Sequence, residues 1–229
     1  MDILSKIGQW LSKNRIVTPT EVKILAGDGS TRRFYRVITR PKPLILLFAP
    51  DWTLTADYLP HQKLLSENGL PVPSFIRVDQ KAGFILMEDL GDELLQMRIL
   101  KDPSRKSAWL EKSVELLALL HQKIFPVPPD IPAARRRFDE KKYREEFAFT
   151  MEHLCVKFLG LPNLKDESQE IILRFCRHLE GLTPTVFSHR DFHTRNILIH
   201  DESLYMIDFQ DARLGPPHGG ELRPFDSRG

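Results

Sequence analysis

The feature that most constrains this chain is a run of charged and polar residues placed directly before a short apolar hairpin pattern. The run FSHRDFHTRN ends at Asn196, and the segment ILIHDESLYMID follows it at once. The polar residues Asp201 to Ser203 predict the turn of a hairpin. Because a hairpin brings its two ends together, we expect Asn196 and Asp208 to be neighbours, with Asp191 just beyond them.

Three residue types at linked spacings predict a chemistry for this place. Asn196 and Asp208 offer hard oxygen ligands, which suit Mg²⁺, and Asp191 would lie near a substrate hydroxyl. Phosphoryl transfer needs positioned metal ions, a cradle for the phosphates and a residue that accepts the hydroxyl proton. The order H-R-D, four residues, N and then a strand ending in Asp matches the kinase catalytic set. A charged turn beside a hairpin is the alternative, and the combined spacings outweigh it.

A glycine-containing turn early in the chain predicts a phosphate cradle between two strands. Backbone N–H groups and hydroxyls in such a turn can face phosphate oxygens, and a nearby arginine can add charge. The segment does not have the Walker pattern G-x-x-x-x-G-K-[ST]. An ordinary hairpin turn is the alternative. The cradle residues are Gly27, Asp28, Gly29, Ser30 and Thr31, and Arg32 or Arg33 could supply the added charge.

The segment FILMEDLGD predicts a connection between two lobes. Backbone groups near Glu88, Asp89 and Leu90 could hydrogen-bond an adenine edge. An ordinary strand with an acidic turn accounts for this segment equally well.

The periodicity predicts a β-rich part followed by a helical part. The first ninety residues contain five strand-like runs and one inserted helix. After them, a 3.6-residue period predicts helices over 104–124, 135–160 and 166–182. We therefore expect an α+β fold with domains at 1–20 (an N-terminal helix), 21–91 (a nucleotide-binding sheet), 92–217 (a catalytic helical lobe) and 218–229 (a divergent tail).

Composition and charge limit which kinds of partner and which compartment we expect for this chain. The net charge is only +2, which disfavours nucleic acid, although the run Arg135–Arg137 keeps that role open as a distant alternative. An apolar face on the first helix is expected to dock on the domain rather than on a membrane. No signal peptide is evident. Two cysteines, Cys155 and Cys176, are expected to be free thiols in a reducing compartment, which favours the cytoplasm.

Two histidines four residues apart, His189 and His193, raise the question of zinc. The zinc pattern needs a helix and the glutamate of H-E-x-x-H, and this segment has neither. We expect His189 to brace the loop by hydrogen bonds and His200 to be a surface residue of a strand.

Four segments resemble the aminoglycoside phosphotransferase superfamily, which has a bilobal protein-kinase-like fold. They are SHRDFHTRN, MIDFQDA, AGDGSTRRFYRV and MEDLGD, and the match runs from about Glu21 to Pro217. Within the superfamily, HRDFHTRN and DFQDARLGPP are most similar to bacterial kinases that phosphorylate N-acetylmuramate and N-acetylglucosamine at the anomeric hydroxyl in cell-wall recycling.

The resemblance implies a role for each part of the site. ATP and Mg²⁺ would be the cofactors and an amino sugar the small-molecule partner, whereas the oligomeric state stays open. Asp191 would be the catalytic base and Asn196 and Asp208 the metal ligands. Residues 27–31 would cover the ATP phosphates, and Glu88–Leu90 would form the adenine-binding hinge. The expected sugar contacts are His193, Arg195, Gln210 and Asp211.

The sequence departs from the family pattern in two places. The third strand lacks the lysine that usually holds the nucleotide phosphates, so Arg33 or Arg36 would have to replace it. After Pro217 the family's further helices are missing. We therefore expect a C-terminally truncated chain with an incomplete C-lobe and an exposed apolar surface, or a short variant with a disordered tail.

Two other functions stay open at this stage. One keeps the fold and changes the acceptor to an aminoglycoside, choline, fructosamine or homoserine. The other is an inactive nucleotide-binding fragment.

Overall fold

The computed structural model describes residues 2–14, 16, 19–25, 32–162, 166–182 and 184–217. The chain divides into two compact units. Unit 1 runs to Pro103 and includes Ile197–Ile207, and unit 2 contains Ser104–Asn196 and the chain from Asp208 onward. The domain limits expected from the sequence stay a prediction.

Unit 1 is built on a five-stranded antiparallel sheet. The strands follow the spatial order β1-β2-β3-β5-β4, and each neighbouring pair is antiparallel. All five were predicted from runs of alternating or continuous apolar residues. They are β1 (Glu21–Ile24), β2 (Arg33–Ile38), β3 (Leu44–Phe48), β4 (Phe75–Asp79) and β5 (Phe84–Glu88).

The N-terminal helix α1 (Ile3–Lys13) docks on this sheet, as its apolar face predicted. Ile7, Trp10 and Leu11 are buried in one cluster with side chains of β2, β3 and β5. The Trp10 ring lies 5.1 Å from that of Phe84, and its Nε1 donates a hydrogen bond to Asp79 Oδ2 at 2.7 Å. Across the described ranges, every helix is too short or too polar to cross a membrane.

Two further helices and a hairpin complete unit 1. Helix α2 (Tyr58–Glu67) was predicted, whereas α3 (Leu95–Lys101) was not. The predicted hairpin is present as β7 (Ile197–His200) and β8 (Ser203–Met206). Its turn residues Asp201 and Glu202 have φ of 48° and 58°, and two consecutive positive φ angles suit a two-residue hairpin turn.

Unit 2 is mainly helical, as the change of periodicity predicted. The helix expected from residue 135 begins at 140, because the Asp139 carboxylate caps it by accepting a hydrogen bond from Lys142 N at 2.8 Å. The segment Met151–Phe158, which the sequence predicted as the last part of the same helix, is π-helical. The helices are α4 (Lys106–Lys123), α5 (Pro132–Arg135), α6 (Glu140–Thr150) and α7 (Asp166–Glu180).

Two short strands of unit 2 were not predicted. Strand β6 (Val186–Ser188) pairs with β9 (Arg213–Gly215), and each has three residues. An apolar run of that length has no periodicity to detect. These strands flank the segment that contains the predicted catalytic residues, and their pairing fixes where that segment begins and ends.

Several large apolar side chains are exposed on the helices of unit 2. Phe149, Phe158 and Phe175 have 62%, 79% and 48% of their surface exposed. Cys155 and Cys176 are both free thiols, as expected, and burial raises the pKa of Cys176.

The five-stranded antiparallel sheet lies in unit 1 and most of the helices lie in unit 2, which is an α+β architecture.

Candidate active site

The predicted catalytic loop, between β6 and β7, folds into a compact turn within unit 2. The backbone oxygen of Asp191 accepts hydrogen bonds from His193 N at 3.0 Å and from the side-chain Nδ2 of Asn196 at 3.1 Å. Asn196 N in turn donates to His193 O at 2.8 Å. Four residues separate the predicted base, Asp191, from the predicted metal ligand, Asn196, and these hydrogen bonds close the segment into one turn.

Asp208 stands at the other end of the hairpin. Ile197 pairs with Met206, so Asn196 and Ile207 leave the same end of the ladder and Asp208 follows. The chain passes from unit 2 into the hairpin after Asn196 and returns at Asp208. All three residues of the predicted catalytic set thus belong to unit 2.

Two backbone positions next to this set are in the left-handed region. Arg190, directly before the predicted base, has φ of 75°, and Asp208 has φ of 65°. A non-glycine residue in this conformation costs on the order of 1–3 kcal/mol and persists only where its surroundings fix it. Such positions concentrate at functional sites, and here one is directly before Asp191 and the other is Asp208 itself.

A buried histidine braces the loop from behind. His189 is 1% exposed, and its ring meets those of Phe192 and Phe209 edge-on at centroid distances of 5.8 and 6.5 Å. The three rings tie the segment before Asp191 to the residue after Asp208. The sequence predicted a bracing role for His189, and the described geometry adds aromatic packing as a means.

The side chain of Gln210 orients Asp208. Its Nε2 donates a hydrogen bond to Asp208 Oδ1 at 2.9 Å. Gln210 is 6% exposed, and its Oε1 is enclosed with no hydrogen-bond partner among the described residues. The predicted contact between Gln210 and a sugar stays a prediction.

The donor set suits magnesium better than a protein-caged metal. Among the described residues there is no cluster of three His, Cys, Asp or Glu side chains. Mg²⁺ is usually held by one or two carboxylates together with substrate phosphates and water. The amide of Asn196 and the carboxylate of Asp208 fit that pattern, and they are the residues that would hold the ion.

The other predicted sugar contacts lie around the same turn. His193 is half-buried, and its Nδ1 is enclosed without a hydrogen-bond partner in the described part of the chain. Arg195 is exposed. The carboxylate of Asp211 lies 3.6 Å from Arg136 Nη1. Contacts of these residues with a substrate stay predictions.

The two arginines predicted as replacements for the missing lysine lie in different environments, and the replacement itself stays a prediction. Arg36 donates to Asp89 through Nε at 2.5 Å and to Asp92 through Nη1 at 2.6 Å. Asp92 and then Asp89 raise the pKa of Arg36 through these bonds. Arg36 is thus already committed to two carboxylates, and Arg33, exposed on β2, is the remaining candidate.

The predicted phosphate cradle, residues 27–31, lies outside the described residues. The predicted hinge is described and is held by unit 1 itself. Glu88 exchanges two hydrogen bonds with the backbone of Ser74, at 3.0 and 2.6 Å, and the oxygen of Leu90 lies 3.1 Å from His200 Nδ1. His200 is thus half-buried against the hinge and not simply a surface residue.

Two features of the site region were not predicted from the sequence. The first is the Arg36–Asp89–Asp92 cluster, for which the acidic run EDLGDE was the available signal. The second is a group of arginines around β9, which the spacing of Arg136, Arg190 and Arg213 along the chain did not suggest.

Comparison with known proteins identifies the family to which a chain with this fold and this turn belongs. The model of the phosphotransferase enzyme family, the aminoglycoside phosphotransferase (APH) family, matches residues 21–218. The chain belongs to this family.

A relative and two solved structures extend the comparison. The N-acetylmuramate/N-acetylglucosamine kinase of Pseudomonas aeruginosa is 29% identical over 206 residues, which are 87% of this chain and 58% of that relative. The ADP-bound aminoglycoside phosphotransferase APH(2'')-Ib has a TM-score of 0.64 at 17% identity, covering 95% of this chain and 73% of its own. The choline kinase LicA from Streptococcus pneumoniae has a TM-score of 0.64 at 19% identity, covering 94% and 71%.

These structures support the protein-kinase-like fold. The chain spans less than two thirds of the length of the Pseudomonas relative.

Proposed function

We propose that this chain contains the phosphoryl-transfer core of an ATP- and Mg²⁺-dependent small-molecule kinase. The observation that carries the proposal is the turn in which Asn196 Nδ2 holds the Asp191 backbone oxygen at 3.1 Å, in the same unit as Asp208, whose carboxylate accepts a hydrogen bond from Gln210 at 2.9 Å. Family membership, with its match over residues 21–218, supports it independently.

In the proposed reaction, Asp191 accepts the proton of the acceptor hydroxyl. Its backbone is fixed by Asn196 and by the left-handed Arg190 before it, so the carboxylate is presented without reorganisation of the turn. Asn196 and Asp208 would hold Mg²⁺, which when bound neutralises charge on the nucleotide phosphates. Residues 27–31 and Arg33 would contact those phosphates, and Glu88–Leu90 the adenine.

For the acceptor, we propose the anomeric hydroxyl of N-acetylmuramate or N-acetylglucosamine. Support comes from the name of the Pseudomonas relative and from the motifs HRDFHTRN and DFQDARLGPP. His193, Arg195, Gln210 and Asp211 are the proposed sugar contacts. His193 supports this best, because its enclosed Nδ1 has no partner within the described ranges and a sugar hydroxyl could supply one.

A panel of acceptors tests both parts of the proposal, the kinase activity and the identity of the acceptor. The purified chain would be incubated with Mg-ATP and with N-acetylmuramate, N-acetylglucosamine, an aminoglycoside, choline, fructosamine or homoserine. We expect ADP release that depends on an amino sugar, with the phosphate on C1 by NMR of the product. Turnover of another acceptor alone would overturn the amino-sugar assignment.

A second measurement distinguishes an active kinase from a chain that binds nucleotide without turnover. Thermal unfolding with and without Mg-ATP should show stabilisation if the nucleotide binds. Stabilisation without turnover of any acceptor would indicate a nucleotide-binding protein without kinase activity. If Mg-ATP does not stabilise the chain and no acceptor is turned over, the proposal is overturned.

A further inference from the structure

We propose that unit 2 contains a binding site for a small oxyanion, formed by Arg136, Arg190 and Arg213 next to the catalytic loop. The site's existence is argued from contacts within unit 2. Its use by an acidic acceptor rests on the proposed function.

The pairing of β6 with β9 places two unsatisfied polar groups on one face. Ser188 pairs directly with Arg213, and directly opposed residues of an antiparallel pair point to the same side. Ser188 Oγ and Arg213 Nε are both enclosed, and neither has a hydrogen-bond partner in the described part of the molecule. Buried polar groups are rarely left without a partner, so each calls for one, such as an ion or water.

The neighbouring chain segment brings a second arginine to this face. Leu214 N donates to Arg136 O, and Phe138 N donates to Leu214 O, both at 2.8 Å. These two bonds pair Leu214 with Arg137, so the side chains of Leu214 and Arg137 lie on the same face. Because side chains alternate along a strand, Arg136 and Arg213 both lie on the opposite face. Its Nη1 lies 3.4 Å from Gln210 O and 3.6 Å from Asp211 Oδ1.

The third arginine comes from the catalytic loop. Arg190 Nη2 lies 3.3 Å from Glu146 Oε1 on α6. The same Glu146 oxygen lies closer to Lys142 Nζ, at 2.7 Å, and Lys142 is the main cause that lowers the pKa of Glu146. Glu146 therefore compensates Arg190 only in part.

Basic side chains are concentrated near this face. Arg136, Arg190, Arg213 and Lys142 are the cations, and the carboxylates of Asp211, Glu145 and Glu146 lie within 4 Å of Arg136, Lys142 and Arg190. Burial lowers the pKa of Arg213, repulsion from Arg190 and Arg136 lowers it further, and Asp211 and Glu146 oppose the shift. A bound anion would relieve this repulsion and would accept hydrogen bonds from Arg213 Nε and Ser188 Oγ.

Guanidinium groups favour carboxylates and phosphates because their donors form a planar fork that matches two oxygens. Two sources offer this chemistry. One is the carboxylate of N-acetylmuramate, which N-acetylglucosamine lacks. The other is free inorganic phosphate. Because Arg190 directly precedes Asp191, an anion held there would also fix the backbone of the proposed base.

The first arm of the test measures the site itself, without nucleotide or sugar. Thermal unfolding would be followed in sodium phosphate and in sodium chloride of equal ionic strength for the wild type, Arg213→Gln and Arg174→Gln. Arg174 is exposed on α7 and provides the same charge change away from the cluster. We expect a saturable rise of the midpoint with phosphate in the wild type and Arg174→Gln, and none in Arg213→Gln.

If phosphate does not raise the wild-type midpoint, or raises all three equally, the site is not an oxyanion site and water satisfies the buried groups. If Arg213→Gln does not fold, Arg190→Gln carries the same comparison, because its guanidinium is partly exposed.

The second arm identifies the source. If the anion is the acceptor's acidic group, Arg213→Gln lowers the ratio of kcat/KM for N-acetylmuramate over N-acetylglucosamine by about tenfold or more, the scale of a lost hydrogen bond to a charged group. Phosphate then competes with N-acetylmuramate only. An unchanged ratio, together with Arg213-dependent phosphate binding, assigns the site to free phosphate. Absence of turnover of either sugar overturns the proposed function and leaves the first arm to decide this inference.

Discussion

The side-chain amide of Gln210 donates a hydrogen bond to the carboxylate of Asp208 at 2.9 Å, and the two residues are joined through the buried Phe209. The amide thus holds one oxygen of the proposed metal ligand and fixes the orientation of the carboxylate. Gln210 takes the place of the glycine of protein kinases, which has no side chain to do this.

We therefore predict that Gln210→Ala raises the Mg²⁺ concentration for half-maximal activity by about 10–100-fold, the usual effect of removing an orienting partner of a metal ligand. Magnesium titrations at saturating ATP would measure it. Gln122→Ala, at an exposed position of α4, is the matched control. A fall in kcat with unchanged magnesium dependence would contradict the orienting role.

A second prediction concerns the proposed base. Asp191→Asn should lower kcat by about 10²–10⁴-fold, because the amide cannot accept the hydroxyl proton. Nucleotide binding should persist, since the loop is held through the backbone oxygen of residue 191, which the substitution retains. Single-turnover kinetics and thermal shift with Mg-ATP would separate the two effects. Asp130→Asn, exposed and outside the site, should match the wild type; normal turnover by Asp191→Asn would refute the assignment.

The Arg36 cluster provides a stability prediction that does not depend on function. The side chain of Asp89 is only 3% exposed and that of Arg36 17%. Arg36→Met would leave a buried carboxylate without its cation, so we expect the free energy of unfolding to fall by about 3 kcal/mol. Urea denaturation would measure this.

Arg33→Met removes the same charge from an exposed position of the same strand, so it should change stability by no more than about 0.5 kcal/mol. Equal effects of the two substitutions would show that the ion pairs contribute nothing specific.

The contact between Trp10 and Asp79 predicts a pH dependence. Hydrogen bonds from Trp10 and from Ala82 N lower the pKa of Asp79 below its ordinary value of 3.8. A folded-state pKa below the unfolded one stabilises the protein above pH 3.8, and this contribution is lost as the pH falls through the folded value.

Acid unfolding of Asp79→Asn should therefore depend less steeply on pH below about 4 than that of the wild type. Trp10→Phe keeps the ring and removes the donor, so it should weaken the dependence in the same direction. Thermal midpoints measured between pH 7 and pH 3 would give both curves. A variant curve parallel to the wild type would show that this contact does not shift the titration.

Much of the fold and part of the site could be predicted from the sequence. The alternation in β2 and the continuous apolar run of β3 identified strands, since side-chain direction alternates along a strand. The helix pattern predicted α4 but missed α3, whose seven residues contain fewer than two full turns with a clear apolar face. The spacing of Asp191 and Asn196 identified the candidate loop, whereas the hydrogen bond from Asn196 Nδ2 to the Asp191 backbone oxygen was not predicted.

The sequence alone determined what depends on neighbours along the chain: the strand and helix patterns, the hairpin Ile197–Met206, and the spacing that closes the loop on Asp191. Only the tertiary structure decided which charges meet. Arg36 pairs with Asp89 and Asp92 across more than fifty residues, and Arg136, Arg190 and Arg213 converge because strand pairing and the turn of the loop bring them together. Electrostatic and hydrogen-bond energies depend on distances in space, and the order of residues in a chain does not fix those distances until the sheet and the helices have packed.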